Sequence, residues 1–234
     1  FNDRSPLENM HAAQLFEIAR RPESAVFSTL DKEEYRELRK VCVEAILHTD
    51  SAYHFAMVRE LQVLYEMESD TFNASWPLYW GSRLDELPQE VHDVLEEPKH
   101  KSLIRNAIVH FGDILNTAMP RRLCTRWAAL LLEEFFLQGD AEKKLGIPVQ
   151  PMNDRDKVSA AFSQVGFIEC FAAPLAFATV RLLPQLAPCA DEMMVNLNLW
   201  LEEWAASTRP QPAAEEVAKV RDRVAKLEAK YRFR

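Results

Sequence analysis

The sequence predicts an all-α fold, a compact multi-helix bundle, and three observations carry that prediction. The 234 residues include only 5 glycines. β-Branched residues are sparse, while Leu, Ala, Glu, Arg and Lys, which lose least on entering a helix, dominate. Apolar residues recur at spacings of three and four over most of the chain. At 48% apolar and 27% charged, the composition is that of a globular protein with one substantial core or two small ones. A net charge of −8 argues against a broad grip on nucleic acid or on an anionic membrane, and leaves room for a local site for a small anion.

The 4 cysteines, Cys42, Cys124, Cys170 and Cys189, are far apart and form no CxxC pair, so they read as reduced core residues of a cytoplasmic protein. No apolar run approaches the roughly 18 residues that span a bilayer, and no basic-then-apolar leader is present. The first residue is Phe1, which leads us to expect a piece of a longer protein.

Each element has its own signal. Pro6 suits a first helical turn, and Glu8 follows Ser5 at capping-box spacing. After a break at Arg21 to Ser24, Asp31 is placed to cap one long, bent helix from Lys32 to about Glu68. Ser69 to Pro98, with Trp76, Pro77, Gly81 and Pro88, reads as mainly loop with a short helix around Glu90 to Leu95. Leu103 to Leu115 is helical, and Pro120 opens a helix to about Gln138 with a bend at Gly139-Asp140. Ile147 to Asp156 is a loop. A buried helix runs from Lys157 to Cys170 and on toward Pro174, and two apolar segments, to Leu183 and from Asp191 to Ser207, complete the bundle. In the tail from Ala213, the residues Val217, Val220, Val224, Leu227 and Tyr231 form a short heptad stripe. It could dimerise or dock, or pack back on the bundle.

Two clusters carry chemistry. His110, Asp113 and Asn116 are spaced by three, so a helix puts them on one face; a metal site and a surface aspartate beside a partly buried histidine both fit. Gln164, in Ser163 to Phe167, lies in an almost uncharged helix. Its amide offers a donor and an acceptor that suit a purine edge, and Phe167 could stack on the ring. On the residues alone, a core glutamine bonded to another side chain is the more ordinary reading.

Taken together, in order and spacing, LENMH at Leu7 to His11, HTDSAYH at His48 to His54, HFGDILN at His110 to Asn116, RWAALLLEEFFLQGD at Arg126 to Asp140, Pro151-Met152 and SQVGFI at Ser163 to Ile168 resemble the class I 3′,5′-cyclic nucleotide phosphodiesterases. The similarity covers about Phe1 to Trp204. It implies an all-α bundle truncated at its N-terminal side, with residues 1–208 the C-terminal portion of the catalytic domain and 209–234 a charged helical extension. It also implies hydrolysis of the 3′-ester of cAMP or cGMP to the 5′-monophosphate by a hydroxide held between two divalent ions, zinc with magnesium or manganese.

By the same resemblance Asp113 is a metal ligand. Glu8, His11, Thr49, Asp50 and His110 stand near the metals or their water. Gln164, Phe167, Asn116, Leu131, Phe135 and Met152 bind the nucleotide. Departures occur at Met10, where the family has a second histidine, and at Ser51, Leu115, Cys124 and Ala128, which bear on substrate preference. The family's HNxxHA and HD motifs, which supply the general acid and other metal ligands, are absent from these residues, and neither His48, His54, His92 nor His100 replaces them. Most metal ligands are therefore expected outside the segment, which alone should be inactive. A catalytically inactive nucleotide-binding or scaffolding module is the alternative, and a homodimer is left open.

Overall fold

The computed structural model describes residues 3–79, 87–208 and 211–231. Among the described residues every regular element is a helix, as expected. The chain gathers into two compact units, Phe1–Asp113 and Ile114–Arg234.

In the first unit, helix α1 (Pro6–Ile18) packs on α2 (Lys32–Leu47), and α2 and α3 (Ser51–Met67) both pack on α6 (Pro98–Asp113). Helices α4 (Ser69–Tyr79) and α5 (Gln89–Glu96) close the far side. The α1–α2 seam is aromatic: Phe16 is buried with its ring 6.2 Å from both Phe27 and Tyr35, and the Arg39 guanidinium lies 4.2 Å over it. A polar clamp joins α2 to α6. Glu44 accepts from Ser102, Arg105 and Asn106, and the Ser102 bond is the main cause that holds its carboxyl below the usual range.

The capping residues act as physics would have them, though not all as expected. Asp31 accepts from the backbone N–H of Glu33 and Glu34, and Glu34 reaches back to the Asp31 N–H, which makes a complete capping box. Ser5 does not cap. It adopts a left-handed backbone at φ 46°, and its hydroxyl donates to Asp50 Oδ2 at 2.7 Å, fastening the start of α1 to the start of α3. Asp50 also ends the expected single long helix. Its Oδ1 accepts from the Ala52 N–H at 2.8 Å and starts α3, so the chain turns at His48 to Asp50. The loop expected over Ser69 to Pro98 is shorter than that, because α4 occupies its first part. Residues 80–86 of that loop lie outside the described residues.

The second unit is arranged around α10 (Ala187–Ala205), which packs against α8 (Ala160–Phe167), α9 (Ala173–Leu182) and α11 (Ala214–Tyr231). Leu197, Met193, Trp200 and Leu201 are buried on it. Asn196, fully buried, donates to the carbonyls of Thr117 and Met119 at 3.0 and 2.8 Å, and so fixes the 3₁₀ turn Leu115–Ala118 to α10. Arg121, at the start of α7 (Arg121–Leu145), lies 3.7 Å over the Trp200 ring. The stripe of α11 packs back on α10 with Val220 and Val224 buried, which is one of the two outcomes foreseen for it. Residues 209–210, where the extension was expected to begin, lie outside the described residues.

Helices α8 and α9 are one continuous helix, Ala160–Leu182, joined by a π turn at Ile168–Ala172. It is the one described helix long and apolar enough to cross a membrane, which the sequence did not suggest. Within this unit 61% of its apolar window is buried, as a core helix requires. Pro174 sits in the first turn of α9, where its missing N–H is harmless, and does not stop the helix. Of the cysteines, Cys124 is buried, Cys42 and Cys189 are partly so, and Cys170 is exposed, so the expectation of four core thiols fails at Cys170.

Helix α7 runs without a break through Gly139-Asp140, where the sequence suggested an interruption. Gly139 is there because the carbonyl of Asn153 rests on it: a Cβ at this position would lie 2.0 Å from that oxygen. The adjoining loop is pinned to α7 by charge as well. Asp154 accepts from Lys143 at 2.7 Å and Lys157 at 3.1 Å, and the Lys143 bond, with help from Lys157, holds its carboxyl down at about 2.

Two outcomes follow from this contact. Gly139→Ala should lower the unfolding free energy by about 1–3 kcal/mol, as overpacking does; denaturant titration reads it, and an unchanged midpoint would contradict the close approach. Because the folded Asp154 pKa is depressed below the ~3.9 of an unfolded aspartate, its pair stabilises the loop fully above about pH 4 and is lost as pH falls through about 2. Calorimetry between those pH values should show a steeper fall in melting temperature for the wild type than for Asp154→Asn.

Candidate functional site

The second unit holds the predicted nucleotide-binding residues. Ser159 caps α8, its hydroxyl accepting from the Phe162 N–H, and the helix then carries Gln164 into the interior. Gln164 is 7% exposed, and its Oε1 is buried with no hydrogen-bond partner among the described residues. A core glutamine tied to a neighbouring side chain would have that oxygen satisfied, since leaving it bare costs on the order of 1–3 kcal/mol. The same holds for Asn116. It stands beyond the end of α6, in the turn Leu115–Ala118, and so does not continue a helical face with His110 and Asp113 as the spacing suggested. Its Nδ2 is buried without a partner among the described residues. Both amides stand on elements that pack against α7 and α10.

The other predicted nucleotide-binding residues of this unit are apolar. Leu131 and Phe135, one turn apart on α7, are half-buried, and Met152 is exposed on the loop that Gly139 and Asp154 hold. Phe167, half-buried at the end of α8, has Phe171 stacked against it at 5.4 Å with the rings 22° apart. An unsatisfied amide edge, an aromatic face and an apolar wall are what a planar base with polar edges needs.

The first unit holds the predicted metal ligand. Asp113 ends α6 at the surface, yet enough chain surrounds its carboxyl that desolvation pushes its pKa up, opposed by the charge of His11 on α1. That is the electrostatic condition of a carboxylate short of positive charge, and it fits one metal-ligand position. It does not make a metal site: among the described residues no three His, Cys, Asp or Glu side chains gather to hold an ion. Glu8 is half-buried and His11 exposed on the same helix. Thr49 and Asp50 direct their side chains to the chain itself, Thr49 Oγ1 donating to the Ile46 carbonyl at 2.7 Å and Asp50 accepting from Ser5 and Ala52. Burial keeps His110 inside, where its Nε2 is hydrogen-bonded to His54 Nδ1 at 2.9 Å. Nothing in the local pattern around either histidine links these two. His54 is fully buried on α3, one turn after the Asp50 cap, and only the register set by that cap turns it toward α6. A cavity of about 370 Å³ in this unit, lined by Glu44, His48, Lys99, Ser102 and Asn106, contains none of the predicted residues.

A family model described as 3′,5′-cyclic nucleotide phosphodiesterase matches residues 1–193. The chain belongs to that family. Among curated phosphodiesterases it is 34% identical over 200 residues to the high affinity cGMP-specific 3′,5′-cyclic phosphodiesterase 9A of Mus musculus, covering 86% of this chain and 32% of the relative. It is 34% identical over 175 residues to a 3′,5′-cyclic-AMP phosphodiesterase, isoform F, of Drosophila melanogaster, covering 75% and 24%. The crystal structure of the phosphodiesterase domain of the Salpingoeca rosetta rhodopsin phosphodiesterase superposes with a TM-score of 0.71 at 27% identity, over 89% of this chain and 57% of that one. This phosphodiesterase chain thus spans less than a third of those curated relatives. Both candidate regions lie within the matched residues, and α11 lies beyond them.

The His54–His110 pair offers a direct measurement. Burial lowers the His110 pKa, so the ring should lose its proton at a lower pH than an unperturbed imidazole of pKa ~6.5. Imidazole nitrogen shifts read the protonation state, and titration of this ring at or above the free value would show that the pair is not buried as described.

Proposed function

We propose that this chain supplies the base-recognition part of a cyclic nucleotide phosphodiesterase that hydrolyses the 3′-ester of cAMP, cGMP or both to the 5′-monophosphate in the cytosol. The observation that carries the reading is Gln164, whose buried carbonyl oxygen has no hydrogen-bond partner among the described residues, one turn from Phe167 on the helix the family match includes. In this reading Gln164 bonds the purine edge and Phe167 lies on its face. Asn116 approaches the nucleotide with its free Nδ2, and Leu131, Phe135 and Met152 line the pocket. A glutamine amide can turn over to match either purine, and relatives specific for each base resemble the chain comparably.

Asp113 would be one ligand of a metal pair, with Glu8, His11, Thr49, Asp50 and His110 around it. Two divalent ions, zinc with magnesium or manganese, would supply the charge that activates water and steadies the phosphoryl oxygens. One aspartate cannot hold two cations. The remaining ligands and the general acid therefore belong to residues outside these 234, with residues 1–208 as the C-terminal portion of the catalytic domain.

The test is turnover of cAMP and cGMP, with zinc and magnesium, by the polypeptide as encoded, including whatever precedes Phe1, and by the 234 residues alone. The first should hydrolyse at least one nucleotide and the second neither. Binding without turnover by the encoded polypeptide would leave an inactive nucleotide-binding module. Substantial turnover by the 234 residues would refute the division of ligands. Within the active protein, Gln164→Leu should raise KM about 10–100-fold, the equivalent of an unmet amide of ~1–3 kcal/mol. An unchanged KM would remove Gln164 from base recognition.

A further inference from the structure

The helix that carries Gln164 and Phe167 is interrupted directly after them. Within Ile168–Ala172 the chain makes a π turn, the Ala173 N–H donating to the Ile168 carbonyl five residues back, before α9 resumes. Such a turn accommodates an extra residue, is less favourable than the α-helix it interrupts, and needs something to hold it. In its middle is Glu169, the one charged residue between Lys157 and Arg181. Its side chain is only 15% exposed, and a carboxylate so placed in an apolar helix requires a counter-charge.

That charge comes from Arg223 on α11. Its Nε and an Nη both donate to Glu169, one to each carboxylate oxygen, at 2.8 Å. A two-pronged pair of this kind fixes orientation as well as distance, because the guanidinium is planar. Two residues before Glu169 is Phe167, and two after it is Phe171, whose ring backs the Phe167 ring. We infer that the Arg223–Glu169 pair is a positioning device: by holding the π turn, α11 sets the angle at which Phe167 presents its face. The inference rests on the reading of Phe167 as the surface that stacks on the base.

Arg223 is not what keeps α11 in place. Val220 and Val224 are buried beneath the helix, Tyr231 stacks on Phe177 at 4.7 Å and donates to Asp191 at 3.0 Å, Asn198 donates to Glu228 at 2.7 Å, and Arg221 pairs with Glu202. Changing Arg223 should therefore leave α11 docked and release only the turn. Without its partner the Glu169 carboxylate must turn toward water or remain buried and uncompensated, and either outcome loosens the backbone next to Phe167. Chemistry at the phosphate does not pass through this pair, so the effect should fall on nucleotide affinity and not on turnover.

In the polypeptide as encoded, Arg223→Gln should raise KM about 5–10-fold, the worth of a well-placed aromatic stack, with kcat within about twofold. The double variant Glu169→Gln with Arg223→Gln, which removes both charges and keeps the shapes, should return KM to within about threefold of wild type, since coupled sites are non-additive. Amide hydrogen exchange at 168–172 should quicken about tenfold or more in Arg223→Gln and not in the double variant, as local opening grows cheaper in free energy. Unchanged KM and exchange in Arg223→Gln would overturn the inference. So would a fall in kcat at constant KM, which would mark a loss of folded protein. If the wild type neither binds nor hydrolyses a cyclic nucleotide, the functional reading fails, and the exchange arm still decides whether Arg223 holds the turn.

Discussion

Helix α10 leaves a strip of Val195, Leu199 and Glu202 to water and buries most of its apolar surface. Ala187, Ala190, Met193, Leu197, Trp200 and Trp204 are all buried on it, so the helix is stable only when other elements surround it. At about 25 cal/mol per Å² of apolar surface, a helix so enclosed contributes more through burial than through its own propensity. Helices α8, α9 and α11 and the turn Leu115–Ala118 take their places from that requirement. The one polar residue fully buried on it, Asn196, donates through its Nδ2 to two carbonyls of the segment leading into α7, while its Oδ1 has no partner among the described residues. The amides of Asn116 and Gln164 are unsatisfied against the same framework. Buried polar atoms without partners among the described residues are thus found both on α10 and on the elements packed against it.

The first unit solves a different problem. Its helices are more exposed, and polar fasteners supplement apolar burial: Glu44 across to Ser102 and Arg105, Ser5 to Asp50, and His54 to His110. Each tie bridges residues at least 45 positions apart, so none has a local signature. Asp113 stands at the end of the helix these ties secure, a position where burial works against its own charge.

What could be read in the sequence followed from local chemistry. Asp31 with Glu34, Pro6, the Gln89–Glu96 helix and the stripe of α11 announce themselves within a few residues, and the structure has them. Gln164 was legible because an amide in an uncharged helix is conspicuous. The failures were places where a tertiary partner outweighed the local cue. Ser5 has capping-box spacing but bonds to Asp50; Asp50 looks mid-helical but starts a new helix; Gly139 looks like a breaker but receives a carbonyl. The His54–His110 pair depends on the break before α3, so misplacing that break concealed it. The only local mark of the π turn is Pro174 just after it, which has no N–H to donate back along the helix, and that mark does not say which kind of irregularity results.

Gly139 has an effect well away from its own position. The missing side chain lets the Asn153 carbonyl rest directly on α7, and Met152 is the neighbour of Asn153. One hydrogen atom on a helix backbone therefore sets how closely the loop with Met152 approaches that helix. Any side chain at Gly139 would act as a spacer under that loop. Met152 would then be moved through a position on a different element, much as a shim behind a hinge changes how a door meets its frame.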